Sequence, residues 1–286
     1  MASQRGESSL PTPRVRLFVA IDHFFAVSSD PESLFRVFRE IFGLPVAWPF
    51  KSYGGFASGG ISAGNTVIEF ATWEEPEGGA VKTEWKMLAF EPAGDTGAVI
   101  AELMRRDVAH SEPEVSTYRE ADGKQTVGWT NTALSGAGLS GIAFVCDYKD
   151  RQKVADMHQT GAEELARARG GPLGVHGVKA IEIGVTNLEL ARLEWLKLID
   201  VASQEQGDVF HFDAGPTVHL VNAESPGIRG IVLEVYSLKR AIKVLARRQM
   251  LTTTTGGSTT IASRTIDGLI VTLVGRNEPA GSPIVE

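Results

Sequence analysis

Residues 16–43 read RLFVAIDHFFAVSSDPESLFRVFREIFG. Over 16–27 apolar residues run with few interruptions, the pattern of a largely buried strand. Ser29-Asp30-Pro31-Glu32 follows, with the serine-to-glutamate spacing of a capping box and a proline suited to a first helical turn. A helix is expected to begin there. Leu34, Phe35, Val37, Phe38, Ile41 and Phe42 recur at helical spacing until Gly43 and Pro45 stop the run, so one apolar helix face can lie on a sheet. Short β-prone runs at 47–50, 55–61 and 66–71, separated by glycines, complete a strand, helix, strands unit.

The order repeats along the chain. A second unit opens at 85–90, continues through an amphipathic run at 98–106 and ends in strands near 127–134 and 142–146. Residues 151–169 are charged and contain alanines, which suits an exposed connecting helix ended by Gly170-Gly171-Pro172. A third unit starts at 178–185, where Thr186-Asn187-Leu188-Glu189 repeats the capping-box spacing before Leu190, Leu193, Trp195, Leu196, Leu198 and Ile199. Placing Ser29 on Thr186 sets Phe38 on Trp195 and Ile41 on Leu198. Gly64-Asn65-Thr66-Val67 likewise matches Gly215-Pro216-Thr217-Val218, and 100–106 matches 242–248. The halves are therefore related by internal repetition, with a period of about 70 residues that suits paired sheets with helices outside. The expected fold class is α+β. The expected organisation is a tail at 1–15, a first domain at 16–149, a linker helix at 150–174, a second domain at 175–277 and a tail at 278–286.

Composition removes several functions. Across 286 residues, 28 basic side chains face 35 acidic ones for a net charge of -7, and no Lys/Arg cluster with interleaved aromatics is present to follow a phosphate backbone. No nucleic acid partner is expected. The first fourteen residues are polar and rich in Pro and Ser, and no apolar stretch is long enough to span a bilayer. The expectation is a cytoplasmic protein with no membrane partner. Cys146 is the single cysteine and lies in an apolar run, where a buried inert thiol is the common outcome. There is no phosphate loop, no Gly-x-Ser-x-Gly elbow and no cysteine pair for zinc.

The run Ile21-Asp22-His23-Phe24-Phe25-Ala26-Val27, with Asp30 and an aromatic-rich helix to Gly43 behind it, resembles the opening of modules in the vicinal oxygen chelate superfamily of glyoxalases, bleomycin-resistance proteins and extradiol dioxygenases. Leu88-Ala89-Phe90-Glu91 and Ile231-Val232-Leu233-Glu234 look like the family's second-module strand, and Asp267-Gly268 before 269–274 looks like its closing strand. The resemblance spans 18–275. It implies four βαβββ modules paired into two cup-shaped mixed-sheet domains. It also implies a divalent metal (Fe, Mn, Ni or Zn), or none where ligands are lost, with open positions for a substrate's vicinal oxygens.

His23 stands where the family places its first metal-binding histidine. Glu69, in the last strand of the first module, stands where members carry a second ligand, and alternation puts Val67, Glu69 and Ala71 on one face. These two residues are the candidate metal ligands, or a catalytic acid/base pair without a metal. In the second module the matching position is Met87, a poor ligand for a hard metal, and 140–146 contains no carboxylate, leaving Asp147 as a marginal substitute. In the second half Ala180 (or Ile181 in a slipped register), Gly230 and Thr272 take the ligand positions, so no family-type metal site is expected there. A hairpin centred on Gly215 would set His211 opposite His219, and the alignment of His219 with Ile68 puts it on the helix-facing side as a packed histidine. His110, His158 and His176 fall in loop or linker segments and carry no pattern. Trp48, Phe50, Tyr53, Trp85 and Trp129, with Asn131, are expected to line or rim the first cup and bind an unsaturated ligand.

Two functions remain in view. One is a lyase, isomerase or oxygenase acting on a small oxygen-rich or aromatic molecule; the other is a non-enzymatic binder that sequesters such a molecule. The partner in both is a small ligand, and a homodimer that completes the cup stays open as an alternative.

Overall fold

The molecule is described by a computed structural model over residues 16–53, 56–73, 82–119, 123–199 and 207–276; the expected tails lie outside these residues. The first strand, β1 (Phe18–Val27), is buried at every position but one. It lies mid-sheet with layers on both faces, which is why its sequence is nearly continuous in apolar residues.

The helix after it starts one residue later than the capping-box reading expects. Asp30, not Ser29, accepts the backbone N–H of Ser33 and caps α1 (Pro31–Arg36), which continues as a π-helical turn over Val37–Ile41. Three strands follow, β2 (Val46–Ser52), β3 (Phe56–Ser62) and β4 (Val67–Trp73). The second module is β5 (Glu84–Pro92), α2 (Thr96–Arg105), β6 (Ala109–His110), β7 (Glu114–Arg119), β8 (Gln125–Ser135) and β9 (Ala143–Tyr148). These strands form one mixed sheet in the order β2-β3-β4-β1-β5-β9-β8-β6, with β7 also on β8.

Helix α3 (Arg151–Arg167) leads into the second sheet. There β10 (Val175–Val185) precedes α4 (Leu188–Leu198), β11 (Val209–Phe210) and β12 (Thr217–Asn222). The last module is β13 (Gly227–Val235), α5 (Leu238–Arg247), β14 (Leu251–Thr255), β15 (Ser258–Ile261) and β16 (Val271–Gly275). The sheet order is β11-β12-β10-β13-β16-β15-β14. As in the first unit, the cap of α4 falls one residue later, on Asn187. The α+β class and the mixed-sheet layout match the expectation.

In each sheet two antiparallel strands, β1 with β5 and β10 with β13, form the centre, and each carries a parallel neighbour outside it. The pairings relate the modules by an approximate twofold. It exchanges His23 with Met87, Phe25 with Ala89, and Glu69 with Phe144. The same geometry in the second sheet places Ala180, Glu182, Gly230, His219, Val232 and Thr272.

This overturns one expectation about His219. The sequence alignment set it on Ile68, but the register pairs Val218 with Ile181 in the core and His219 with Glu182, so His219 matches Glu69 and lies on the concave face. A shift of one residue is enough, because it sends every side chain of a strand to the other face. The expected opposition of His211 and His219 also fails: it is Val209 that pairs with His219.

One apolar core runs through both halves. Trp195 of α4 is fully buried against Phe90 and Phe210, and its indole N–H donates to the Gly138 carbonyl at 3.2 Å. The Asn65 side chain donates to the Val178 carbonyl at 2.8 Å and accepts its N–H at 2.9 Å, so it serves as a short strand edge between the halves. Glu102 accepts from Arg105 and Arg106, which hold its carboxyl down to about 2, and Arg106 donates onward to the Lys197 carbonyl beside the end of α4.

No helix among the described residues is long and apolar enough to cross a membrane.

Candidate functional site

The concave face of the first sheet is built from alternate residues of its central strands. His23, Phe25 and Val27 stand beside Val67, Glu69 and Ala71 on one side, and beside Met87, Ala89, Phe144 and Cys146 on the other. Met87, Trp129 and Tyr148 pack on the apolar part of this face.

A bulge between Ile21 and His23 breaks the alternation of β1. A bulge lets successive side chains share one side of a sheet. Here it brings the Asp22 carboxylate beside the ring of its own neighbour: His23 Nδ1 donates to Asp22 Oδ2 at 2.5 Å. Tyr148 donates its hydroxyl to the same oxygen at 3.0 Å, and His158 Nε2 donates to Asp22 Oδ1 at 2.8 Å. Asp22 is 3% exposed and His23 5%. A carboxylate this deep needs such donors.

The charges follow from these contacts. Burial resists ionisation of Asp22, but hydrogen bonds from His158 and His23 outweigh it and hold the carboxyl well below the usual range. Burial also resists the charged form of His23; the hydrogen bond and charge of Asp22, with the charge of Glu69, overcome it and raise the imidazole above its ordinary value. The pair therefore favours imidazolium against carboxylate. His23 Nε2 faces Glu69 Oε2 at 3.6 Å, too long for a good hydrogen bond, so both atoms retain directions into the cup.

Burial raises the Cys146 thiol and the Tyr148 phenol well above their ordinary values. Both stay neutral, and Cys146 is unsuited to act as a nucleophile.

The other expected site residues divide between the faces. Trp48 lies over Gly60 and meets the His23 ring edge-on at 6.4 Å, while its indole N–H donates to Ser58. Trp129 and Asn131 share the face of Tyr148 and Cys146, and Asn131 Oδ1 is buried with no hydrogen-bond partner among the described residues. Tyr53 stacks on Phe56; burial, then the charge of Glu69, raises its phenol. Phe50 instead packs on Phe35 of α1, and Trp85 packs on Phe24 while its indole N–H donates to the Ile270 carbonyl. A bulge explains each. Strand β2 slips between Trp48 and Lys51, and β1 slips on β5 between Phe25 and Ala26, so the alternation that would carry Phe50 and Trp85 into the cup is reversed.

Asp22, Tyr148 and His158 are the polar residues that sequence reasoning missed. Helix α3, read as an exposed connector, lies over the concave face at its His23 end: Gly161 packs on Ser62, whose neighbour Val67 pairs with His23. That packing delivers His158. The signal available in the sequence was the buried-strand carboxylate itself, since an aspartate amid Ala20, Ile21 and Phe24 requires partners. A cleft of about 230 Å³ also opens at the ends of β8 and β9, sharing Trp129 and Tyr148 with the cup. Its other lining includes Asp147 and Arg151 rather than His23 or Glu69.

The donors do not fit a family-type metal centre. The twofold mates of His23 and Glu69 are a thioether and a phenyl ring, Met87 and Phe144. Asp147, the marginal substitute, accepts from Thr96 and Arg151 instead. Among the described residues no group of three or more His, Cys, Asp or Glu side chains could hold a metal ion.

The sequence matches no protein-family model and no curated protein. Solved structures do match. The homoprotocatechuate 2,3-dioxygenase of Arthrobacter globiformis aligns with a TM-score of 0.58 at 11% identity, over 97% of this chain and 86% of its own. The Mn(II)-bound glyoxalase of Novosphingobium aromaticivorans aligns with a TM-score of 0.57 at 12% identity, over 92% and 84%. The 2,3-dioxygenase LapB of Pseudomonas sp. KL28 aligns with a TM-score of 0.59 at 8% identity, over 95% and 96%. Likeness at such low identity speaks for backbone and not for chemistry, and on that footing the chain has the fold of the vicinal oxygen chelate superfamily.

Proposed function

We propose that the first cup is an acid/base site that moves a proton on a small oxygen-rich or aromatic molecule, as a lyase or isomerase would. The observation that carries this reading is the run from buried Asp22 and His23 to part-buried Glu69. Asp22 fixes which ring nitrogen points inward, as the orienting carboxylate of a catalytic triad does. Glu69 is then the base that takes a proton from the ligand, and His23 is the donor that protonates or stabilises the oxygen on which charge develops. Trp48 and Trp129 offer flat surfaces to the ligand, and Asn131 offers its unmatched oxygen as an acceptor.

The test uses solvent exchange. A panel of small hydroxycarbonyl and phenolic compounds is incubated with the protein in deuterated buffer, and loss of carbon-bound protons is followed by NMR. At least one compound is expected to exchange, with Glu69→Gln reducing the rate by about 10²–10⁴-fold. Unchanged exchange in both Glu69→Gln and His23→Ala would rule the site out.

A second reading, sequestration without turnover, is favoured by Phe25, Phe144 and Met87, which give the cup an apolar floor. It predicts binding of a panel member that survives Glu69→Gln, with no exchange in either protein.

A further inference from the structure

We propose that the concave face of the second sheet is a separate binding site for a small uncharged molecule carrying two or more hydroxyl groups. The register allows the two cups to be compared position by position. Where the first has His23, Phe25, Met87, Glu69 and Phe144, the second has Ala180, Glu182, Gly230, His219 and Thr272. Four of these five changes shrink the side chain or remove a ring, and the second cup gains a carboxyl, an imidazole and a hydroxyl at new places. It is therefore more polar over a floor of Ala180, Val232 and Val274, with Ile270 packed into the space that a side chain at Gly230 would take.

Thr272 is the independent sign of a ligand. Its side chain lies on the concave face beside Val232, is 7% exposed, and its hydroxyl is buried with no partner among the described residues. A buried polar group left unmatched is costly, and such groups persist where something else supplies the partner.

His219 adds an acceptor of known orientation. The Thr217 hydroxyl donates its one proton to the Lys179 carbonyl at 3.0 Å, so at 2.9 Å it can only accept from His219 Nε2. Burial, with His211 and Lys179 nearby, lowers the imidazole below its ordinary value, so the neutral ring leaves Nδ1 as an acceptor. Glu182, its register partner, is raised by burial alone. The site thus offers an acceptor, a carboxyl biased toward its neutral form and an unmatched hydroxyl on one face. Neighbouring hydroxyls of a neutral polyol can both donate to and accept from such a set.

The test is independent of the first cup. The full chain is examined by saturation-transfer NMR with myo-inositol and D-glucose as neutral probes, and with gluconate and glucosamine as charged counterparts. Amide shifts locate any binding. At least one neutral probe is expected to bind in the millimolar range, with shifts confined to β10, β12, β13 and β16, and Thr272→Val is expected to weaken it by about tenfold. The same substitution removes the unmatched hydroxyl, so it should raise the Tm of the ligand-free protein, which also shows that the variant folds. Failure of both neutral probes to bind, shifts on the first sheet, retained affinity in Thr272→Val, or binding of a charged probe alone would each overturn the proposal.

Discussion

Replacing Asp22 with alanine is expected to destabilise the protein by about 3–5 kcal/mol, because it strands two histidines and a phenol that share one buried carboxylate. The pH dependence has a definite sign. The folded Asp22 carboxyl is depressed, so its contribution is complete above the ordinary value of 3.8 and is lost as pH falls through the lower folded value. His23 is raised, so its contribution is complete below 6.5 and is lost as pH rises through the higher folded value. The gap between wild type and Asp22→Ala should therefore be widest between 3.8 and 6.5. Urea melts across that range measure it. A gap that does not change with pH, or one far below 1 kcal/mol, would mean that Asp22 does not hold this network together.

Trp195→Ala is expected to cost about 3–5 kcal/mol, the range for emptying a fully buried large aromatic site. Its neighbours come from both halves, Phe90 and Gly138 of the β8–β9 turn from the first and Phe210 from the second, so the loss should fall on both halves together. Denaturation of the variant followed by circular dichroism and by the exposure of other tryptophans should give coincident transitions, both shifted down. A variant in which only the second half unfolds early would contradict a shared core.

The architecture was legible because its causes are local and repeated. The apolar run of β1, the stripe from Leu34 to Phe42 and its counterpart around Trp195 each declare an element, and their order declares the modules. His23 and Glu69 were legible for a related reason: strand alternation and the opening motif place both in the cup, where the register sets them. What escaped was set by single-residue irregularities. The bulge after Ile21 brings Asp22 to His23, the slips beside Trp48 and Phe25 carry Phe50 and Trp85 to the other face, and a one-residue shift in β12 brings His219 to the second cup. Periodicity cannot reveal its own breaks. His158 escaped for another reason, since it reaches Asp22 from 136 residues away on a helix whose charged sequence reads as solvent-exposed.

Whether Asp22 holds His23 as an imidazolium facing Glu69 is decided most directly by titrating the His23 ring nitrogens by NMR in the wild type and in Asp22→Asn. In the wild type His23 should titrate above 6.5, with the proton on Nδ1 retained, and in Asp22→Asn it should fall below the wild-type value as burial prevails over the lost charge. A wild-type His23 that titrates at or below 6.5, or one that is indifferent to Asp22→Asn, would contradict the acid/base site.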